Sequence, residues 1–420
     1  MQNDSGPSRR GRMRRAGRIL GAFLAVVVLA TAGYLGYVAA RRSQPVALPT
    51  PTGPYQVGRT IFEWTDTARA DPLAPQPDTP RGLSVWLWYP GAPEPGETTA
   101  PYLPGAWSGL HIGGPAGLGE SGFGVVHPHA VPDAPVADGR YPIVVLEPGL
   151  GFAAPQYTAL AEDLASHGYL VAGVTPTYSA NRTVLHGRTV TASKAGLPSA
   201  LDNADMHGPA AEQAAARLLS VWVADARFAA ARLAALDASG RFAGHVNASA
   251  IAFLGHSFGG AAALEACRDE AACVGAADLD GTQYGEVVRA GLTKPMLLVA
   301  SENSCVTGDC TGTADASSRA AARGLVAAST GPVWCYQIGG ARHIDFSDYD
   351  AYYLAAPLRK LLALGTNGRG VTLTVVSAYL DAFLDQITRG TPQPLLTGES
   401  RPYPEVRIRH TPGSGIRPPR

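Results

Sequence analysis

Charged side chains are scarce in this chain, since Asp, Glu, Lys and Arg together make up only 16% of its 420 residues. Apolar residues make up 46%, which is enough to bury a large core and excludes a mainly disordered protein. No G-X-Y period accompanies the 49 glycines and 34 prolines, so a collagen-like fibre is excluded as well. The length suits one large domain with appendages.

The body of the chain lacks the positive charge that nucleic-acid binding needs. Residues 43–400 carry 21 basic and 32 acidic groups, whereas the two ends, residues 1–42 and 401–420, are basic. Phosphate neutralisation needs a basic face on the folded part of a protein. We therefore expect no nucleic-acid partner.

A single long uncharged run, from Ile19 to Ala40, lies near the N-terminus. At about 1.5 Å per residue it is long enough for a hydrocarbon core of about 30 Å. Six arginines precede the run and Arg41 and Arg42 follow it, so the positive-inside rule predicts a cytoplasmic N-terminus and an exported body. The alternative is a signal peptide cleaved after Ala40. The run is longer than a usual signal-peptide core, which favours an uncleaved membrane anchor.

The tail of the chain is rich in Pro, Gly and Arg without an apolar period, and such composition predicts disorder. The expected organisation is a basic cytoplasmic segment 1–18, a transmembrane anchor 19–40, a linker 41–55, a catalytic domain 56–395 and a disordered tail 396–420.

The five cysteines agree with export from the cytoplasm. Cys305 with Cys310, and Cys267 with Cys273, are plausible disulfide pairs, and Cys335 lies in an apolar strand pattern as a buried thiol. The spacing alone leaves the pairing open. No spacing typical of a zinc site is present, and His127 with His129 is interpreted as a loop pair, so we expect no metal and no other cofactor.

Short apolar runs alternate with helical patterns along the body. The predicted strands are Ser84–Tyr89, Tyr141–Leu146, Tyr169–Val174, Ala250–Leu254, Val274–Leu279, Pro295–Ala300 and Val333–Ile338. The predicted helices are Gln156–His167, Ala210–Leu236, Phe258–Asp269, Asp315–Ala328 and Val371–Thr388. This alternation predicts an α/β fold, with a mostly parallel central sheet and helices on both faces.

Residues 91–140 are rich in Gly and Pro and are expected to form a long excursion over the body. Their apolar side chains either contact a lipid surface or cover the edge of the sheet. These side chains are Tyr102, Leu103, Trp107, Leu110 and Phe123.

The sequence around Ser257 is typical of a nucleophile elbow. The pattern Gly255-x-Ser257-x-Gly259 directly follows a predicted strand and directly precedes an Ala-rich helical pattern. A turn that raises a serine above a helix is sharp, so small residues are needed on both sides of it. The competing interpretation is a Gly-rich helix start in which Ser257 is only the N-cap.

Asp280 and His343 are expected to reach the same edge of the sheet as Ser257. The helix after Ser257 descends by about 18 Å and the next strand climbs back by about 20 Å, which returns Asp280 to that edge. The last predicted strand ends shortly before His343. In this arrangement His343 takes the proton from Ser257, and Asp280 orients the imidazole.

Other carboxylates compete for the role of Asp280. Glu302 and Asp309 follow the next strand, where many hydrolases of this kind carry the acid. Asp278 shares a strand face with Asp280 but lies deeper, and is interpreted as a core carboxylate. For the oxyanion of the reaction, the expected donors are the backbone N–H groups of Phe258 and Leu150.

Several segments together resemble the platelet-activating-factor acetylhydrolase family of the plasma and type II intracellular kind, which has the α/β-hydrolase fold. The matching segments are 52–58, 66–69, Trp88–Pro90, Pro148–Gly151, Leu160–Tyr169, Gly255–Gly260, Leu279–Gly281 and the loop of His343. They span about 300 residues in the family's order. The family often has Ser-His where this chain has Glu147-Pro148, and the 91–140 excursion matches nothing in it.

The resemblance implies metal-independent hydrolysis of short or oxidised acyl esters of phospholipids. It also implies that Asp280 is the acid, and that Leu150 and Phe258 bind the oxyanion. The alternatives are a broad-specificity lipase or polyester esterase of the cutinase kind and, in another class, a non-catalytic membrane-anchored binding protein. The expected partners are a small-molecule or lipid ester and the membrane that holds the anchor, and the sequence does not set the oligomeric state.

Overall fold

The computed structural model describes residues 9–110, 123–202, 208–310, 316–352, 359–360, 363–398 and 401–412. Its helices are α1 Arg9–Arg42, α2 Thr158–Ser166, α3 Pro209–Ala235, α4 Phe258–Arg268, α5 Val287–Ala290, α6 Ala316–Ala328 and α7 Val371–Arg389. Its strands are β1 Val46–Ala47, β2 Gln56–Ala70, β3 Pro80–Gly91, β4 Val126–His127, β5 Val131–Pro132, β6 Tyr141–Glu147, β7 Leu170–Thr175, β8 Thr183–Leu185, β9 Arg188–Val190, β10 Val246–His256, β11 Cys273–Leu279, β12 Met296–Ala300, β13 Val333–Ile338 and β14 Val406–His410.

Ten strands form one sheet in the order β14-β13-β12-β11-β10-β6-β7-β3-β2-β5. The strands from β13 to β7 run parallel, while β3 pairs antiparallel with both β7 and β2, and β14 pairs antiparallel with β13. The carboxyl ends of the parallel strands therefore meet at one edge. Ligand sites of open α/β sheets lie at that edge.

Helices cover both faces of the sheet, as the continuous apolar runs predicted. On β6, Val144 and Leu146 join the cluster on the face of α2 and α7, whereas Ile143 and Val145 join the cluster on the opposite face. This alternation follows from the two-residue period of a strand. The predicted α/β-hydrolase fold is confirmed, and each predicted strand and helix corresponds to an observed element; Asp315, the predicted first residue of one helix, lies outside the described residues.

The tail contains a strand, and the prediction of disorder over 396–420 is wrong for it. Val406–His410 forms β14, with Val406 opposite Ile338 and His410 opposite Cys335 on β13. Val406 and Ile408 pack against the core. Val406 and Ile408 alternate with Arg407 and Arg409, which is typical of a half-buried edge strand. The prediction of disorder relied on the overall Pro, Gly and Arg content of the tail and did not use this local pattern. Residues 413–420 lie outside the described part.

The segment 41–55 packs on the body, although the sequence predicted only a linker. Val46–Ala47 pairs with β4, and Leu48 is buried. The backbone N–H and the hydroxyl of Thr52 donate to Asp163 Oδ1 at 2.7 and 3.0 Å. Only about three residues therefore separate the end of α1 from the packed body.

The excursion over 91–140 buries the apolar side chains that were considered for lipid contact. Trp107 is 4% exposed, and its ring packs edge-on against Trp86 at 5.4 Å between centroids. Tyr102, Leu103, Leu110 and Phe123 are buried in the same core cluster. Buried side chains do not reach a lipid surface, so the alternative of covering the sheet is correct for these five. Residues 111–122 lie outside the described part.

Among the described residues, α1 is the one helix that is long and apolar enough to cross a membrane, and the body buries none of its most apolar stretch. A signal sequence would pass the same test. Two disulfides, Cys267–Cys273 and Cys305–Cys310, join the pairs that the sequence favoured, and Cys335 is a free buried thiol.

Candidate active site

Ser257 occupies a strained turn between β10 and α4. Its backbone has φ +56° and ψ −126°, a region that a non-glycine residue rarely adopts. A Cβ on Gly255 would lie 2.1 Å from the carbonyl oxygen of Gly259, and one on Gly259 would lie 2.3 Å from the carbonyl oxygen of Pro148. Close approach of backbone segments therefore requires both glycines of the G-x-S-x-G pattern.

Three side chains that were predicted to act together form a hydrogen-bonded chain. Ser257 Oγ lies 2.9 Å from His343 Nε2, and His343 Nδ1 lies 2.8 Å from Asp280 Oδ2. Because a carboxylate only accepts, Nδ1 carries a proton and Nε2 is free to accept from the serine hydroxyl. The Ser301 N–H donates to the other oxygen of Asp280 at 2.6 Å and holds the carboxylate in this orientation.

The carboxylates that competed with Asp280 are engaged elsewhere or exposed. Asp309 forms a 2.7 Å ion pair with Arg409 on β14, and the side chain of Glu302 is exposed. Asp278 is fully buried and accepts from the side-chain amide of Gln283 at 3.1 Å. Burial raises the pKa of Asp278 well above its usual range. It therefore has the surroundings of a core carboxyl group, as the sequence indicated.

A cavity of about 250 Å³ opens beside Ser257. It is lined by Leu150, Leu197, Leu201, Ser257, Phe258, Thr282, Tyr284 and His343. Phe258 is the first residue of α4, so helix geometry leaves its N–H without an intrahelical acceptor. Neither the Phe258 nor the Leu150 backbone N–H donates to another described residue. Two residues that line this cavity thus have a backbone N–H without an acceptor among the described residues.

Tyr157 and His256 form a buried pair beneath the Ser257 turn. Tyr157 Oη lies 2.7 Å from His256 Nδ1, and His256 Nε2 lies 2.8 Å from the carbonyl oxygen of His343. Burial, reinforced by the nearby His343, lowers the pKa of His256 well below its ordinary value, so its ring is neutral. Nothing in the sequence connects Tyr157 with His256, which lies 99 residues away in the chain.

A second polar group lies on neighbouring elements of the same fold, centred on Arg81. Its guanidinium pairs with Asp225 on α3 and, at 2.9 Å, with Asp71, and it also donates to the Thr177 carbonyl oxygen. All three charged side chains are at most 1% exposed. Burial alone lowers the pKa of Arg81, but the two carboxylates overcome this effect and raise it. The guanidinium therefore stays charged inside the core.

Glu147, the last residue of β6, differs from both of these groups. It is fully buried, and neither of its carboxyl oxygens has a hydrogen-bond partner among the described residues. Burial, together with the charge of Asp225, raises the pKa of Glu147 well above its usual range. The neutral carboxyl form is therefore favoured at this position, where the resembled family often has Ser-His.

One group of possible metal ligands occurs among the described residues, formed by Asp163, His167 and Asp381. It lies between α2 and α7, and none of its members lines the cavity at Ser257. Asp163 Oδ1 already accepts from Thr52, whose hydroxyl lies 2.8 Å from His167 Nε2. These contacts fasten the segment after α1 to the body.

Comparisons with known proteins support the resemblance. Residues 40–192 match the family model of platelet-activating factor acetylhydrolase, isoform II, which confirms the predicted resemblance over that part of the chain. The matched part includes Leu150 and ends before Ser257. A search of the curated proteins gives no match.

A solved structure resembles most of the chain. The ferulic acid esterase from Streptomyces cinnamoneus superposes with a TM-score of 0.71 at 28% identity, over 86% of this chain and 99% of that one. The family match and this structure together support a carboxylic ester hydrolase.

Proposed function

We propose that the protein hydrolyses carboxylic esters through an acyl-enzyme on Ser257, with His343 and Asp280 completing a catalytic triad. The observation that carries the proposal is the hydrogen-bonded chain from Ser257 through His343 to Asp280. It starts on a turn with positive φ and borders a cavity, as a nucleophile elbow requires.

In this mechanism His343 Nε2 takes the proton of Ser257 as Oγ attacks the ester carbonyl carbon. Asp280 holds the Nδ1–H and stabilises the imidazolium. The N–H groups of Leu150 and Phe258 bind the oxyanion. The imidazolium then gives its proton to the leaving alkoxide, and a water activated by His343 releases the acid from the acyl-enzyme.

The preferred substrates are short-chain or oxidised acyl esters of phospholipids. The cavity of about 250 Å³ is small, since drug-sized ligand pockets span about 300–1,000 Å³. Leu150, Leu197 and Leu201 give it an apolar wall, while Thr282 adds a hydroxyl. A short acyl group fits such a space, and the family match over 40–192 supports the phospholipid class.

Esters of aromatic acids are the second candidate. Phe258 and Tyr284 line the cavity, and aromatic rings pack favourably in offset or edge-on pairs. The solved structure with a similar fold is a ferulic acid esterase. A lipase or polyester esterase, the other alternative, would require space for a longer chain.

A panel of esters assayed with the full-length protein in detergent tests these proposals. The panel holds p-nitrophenyl esters from acetate to palmitate, a phospholipid with a 2-acetyl group, and methyl ferulate. We expect the highest kcat/KM for the short esters and the 2-acetyl phospholipid. Preference for methyl ferulate would select the aromatic class, and preference for palmitate would select a lipase. Absence of both turnover and fluorophosphonate labelling would indicate a non-catalytic binding protein.

We also propose that α1 is an uncleaved signal anchor with the catalytic domain outside the cytoplasm. Support comes from the length of α1, its exposure and the excess of arginine before its apolar part. The body should be accessible to protease added to intact cells. Mature protein that begins at Arg41 would identify a cleaved signal peptide instead.

A further inference from the structure

The pair Tyr157–His256 connects two loops that approach Ser257 from opposite sides. The backbone N–H of Gly149 donates to Tyr157 Oη at 2.8 Å, and Tyr157 lies 2.7 Å from His256 Nδ1. The other ring nitrogen of His256 lies 2.8 Å from the carbonyl oxygen of His343. One end of this chain is thus the residue before Leu150, and the other end is the backbone of His343.

The direction of each hydrogen bond follows from the chemistry of its ends. A carbonyl oxygen only accepts, so His256 Nε2 carries the proton and donates to His343. The neutral ring then has an unprotonated Nδ1, which accepts from the Tyr157 hydroxyl. Tyr157 Oη in turn accepts from the Gly149 N–H. Each donor and acceptor in this chain is therefore satisfied, and hydrogen bonds in such chains reinforce one another.

Packing around the pair leaves little room for another arrangement. Tyr157 and His256 are at most 1% exposed, and the His256 ring stacks on Phe346 at 5.8 Å between centroids. A Cβ on Gly149 would lie 3.0 Å from His256 Nδ1 and 3.2 Å from Tyr157 Oη. Glycine at 149 thus permits the close approach that the hydrogen bonds need.

We infer that Tyr157 and His256 are positioning residues that fix the backbone donor of Leu150 and the imidazole of His343 relative to each other around Ser257. This inference rests on the proposed triad and oxyanion donors. Neither side chain takes part in a bond-forming step. The oxyanion donor and the general base belong to separate loops, and Tyr157 and His256 hold these loops in place. A small displacement of either loop would weaken stabilisation of the transition state.

The first test removes one hydroxyl group. Tyr157→Phe keeps the ring but breaks the chain at its centre, leaving the Gly149 N–H and His256 Nδ1 without partners. We expect kcat on p-nitrophenyl acetate to fall about 10-fold, with KM changed less than about twofold, because positioning acts on the transition state. The matched control is Tyr336→Phe, which removes a buried hydroxyl that donates to the Leu396 carbonyl oxygen at 3.2 Å, outside the cavity.

The control separates positioning from plain stability. Both variants should lower the melting temperature by a similar amount, but Tyr336→Phe should keep kcat within about twofold of the wild type. Equal kcat for the two variants would overturn the inference, as would a fall in Tyr157→Phe that resides in KM alone.

The second test uses rescue at His256. The amide of Gln can place a donor near the position of Nε2, so His256→Gln should retain the bond to His343, whereas His256→Phe keeps the ring and loses both bonds. We expect His256→Gln to keep more kcat than His256→Phe. The double variant of Tyr157→Phe with His256→Phe should lose little more than His256→Phe alone, because the chain is already broken. Additive losses, or equal kcat for Gln and Phe, would contradict a connected chain.

Failure of the inference and failure of the proposed function give different results. If Ser257→Ala retains activity, the proposed triad is wrong and the positioning role falls with it. If Ser257→Ala is inactive while Tyr157→Phe behaves like Tyr336→Phe, the triad stands and the positioning role alone is rejected.

Discussion

Two groups of paired side chains in this fold differ chiefly in their exposure. In the group of Ser257, the His343 side chain is 40% exposed while its partner Asp280 is 3% exposed. In the group of Arg81, the guanidinium and both carboxylates are sealed from solvent. The first group, called the open group below, borders the cavity beside Ser257. The second, called the sealed group, joins β3 to α3 and to the turn after β2.

This difference in exposure distinguishes residues that should control the reaction rate from residues that should control the stability of the fold. In the open group, Ser257 and Asp280 both have positive φ, a conformation that costs free energy and persists only where the surroundings hold it. In the sealed group, the charges stabilise one another, and removal of Arg81 leaves the buried Asp71 carboxylate without a cation. Substitutions in the open group should therefore change rate, whereas those in the sealed group should change the free energy of unfolding.

The largest effect should come from Ser257→Ala. Loss of the nucleophile should lower kcat by on the order of 10⁵–10⁶, with little change in melting temperature. Steady-state hydrolysis of p-nitrophenyl acetate and a thermal melt measure the two quantities. A variant that keeps a tenth of the wild-type rate would show that the open group is not the reaction centre.

Asp280→Asn should give the next largest effect. Without the carboxylate the imidazole of His343 loses its orientation and its charge partner, so kcat should fall by on the order of 10⁴. The matched controls are Glu302→Gln and Asp309→Asn, which remove the competing acids and should have mild effects on kcat. If one of the controls caused the larger loss, the acid would belong to the later loop.

The sequence predicted those elements whose signal is local. Continuous apolar runs such as Tyr141–Leu146 and Val333–Ile338 reproduce β6 and β13 closely, because strands covered on both faces have no polar alternation. The G-x-S-x-G pattern placed Ser257 at a sharp turn, which the observed φ of +56° confirms. Chain order and element lengths placed Asp280 and His343 at the same edge, where the structure has them within hydrogen-bond distance.

The rest depended on contacts between distant segments. Strand β2 has exposed polar residues along much of its length, so no apolar run marked Gln56–Ala70. The bond between Tyr157 and His256 joins residues 99 positions apart, and the pairing of Arg81 with Asp225 joins residues 144 apart. Such partners become visible only when tertiary packing brings them together.

Arg81→Met tests the sealed group. It keeps the length of the side chain but leaves the buried Asp71 carboxylate without a cation, and Asp225 with only the partly exposed Arg69 at 3.0 Å. The free energy of unfolding should therefore fall by about 3 kcal/mol. The kcat of the folded fraction should stay near that of the wild type. Urea unfolding and active-site titration measure the two effects, and a selective loss of kcat at unchanged stability would link the sealed group to the reaction.

Trp107→Ala tests the packing of the 91–140 excursion. Because Trp107 packs on Trp86 in the core, its loss should cost about 3 kcal/mol of stability through a cavity. Activity should fall equally on a small soluble ester and on a vesicle-borne ester when both are corrected for folded protein. A loss confined to the vesicle-borne ester, with unchanged stability, would restore the lipid-contact role of this side chain.

Removal of divalent metal ions should have the smallest effect of all on kcat. Both ring nitrogens of His343 are already engaged, Nδ1 with Asp280 and Nε2 with Ser257, so the proposed triad offers no free nitrogen ligand to a metal. Incubation with EDTA should therefore leave kcat on p-nitrophenyl acetate within error of the untreated enzyme. A chelator-sensitive kcat that zinc or calcium restores would contradict the metal-independent mechanism.

The same experiment compares the open group with the carboxylates between α2 and α7. Asp163, His167 and Asp381 can approach a common ion, but none of them lines the cavity. Asp163 and His167 contact Thr52 of the packed segment after α1. A metal bound there would stabilise the attachment of that segment and leave the reaction unaffected. EDTA would then lower the melting temperature without lowering kcat, and Asp381→Asn would abolish that shift. A fall in kcat in parallel with the melting temperature would instead show that the two regions are coupled, because the open group would then depend on how the segment after α1 is packed.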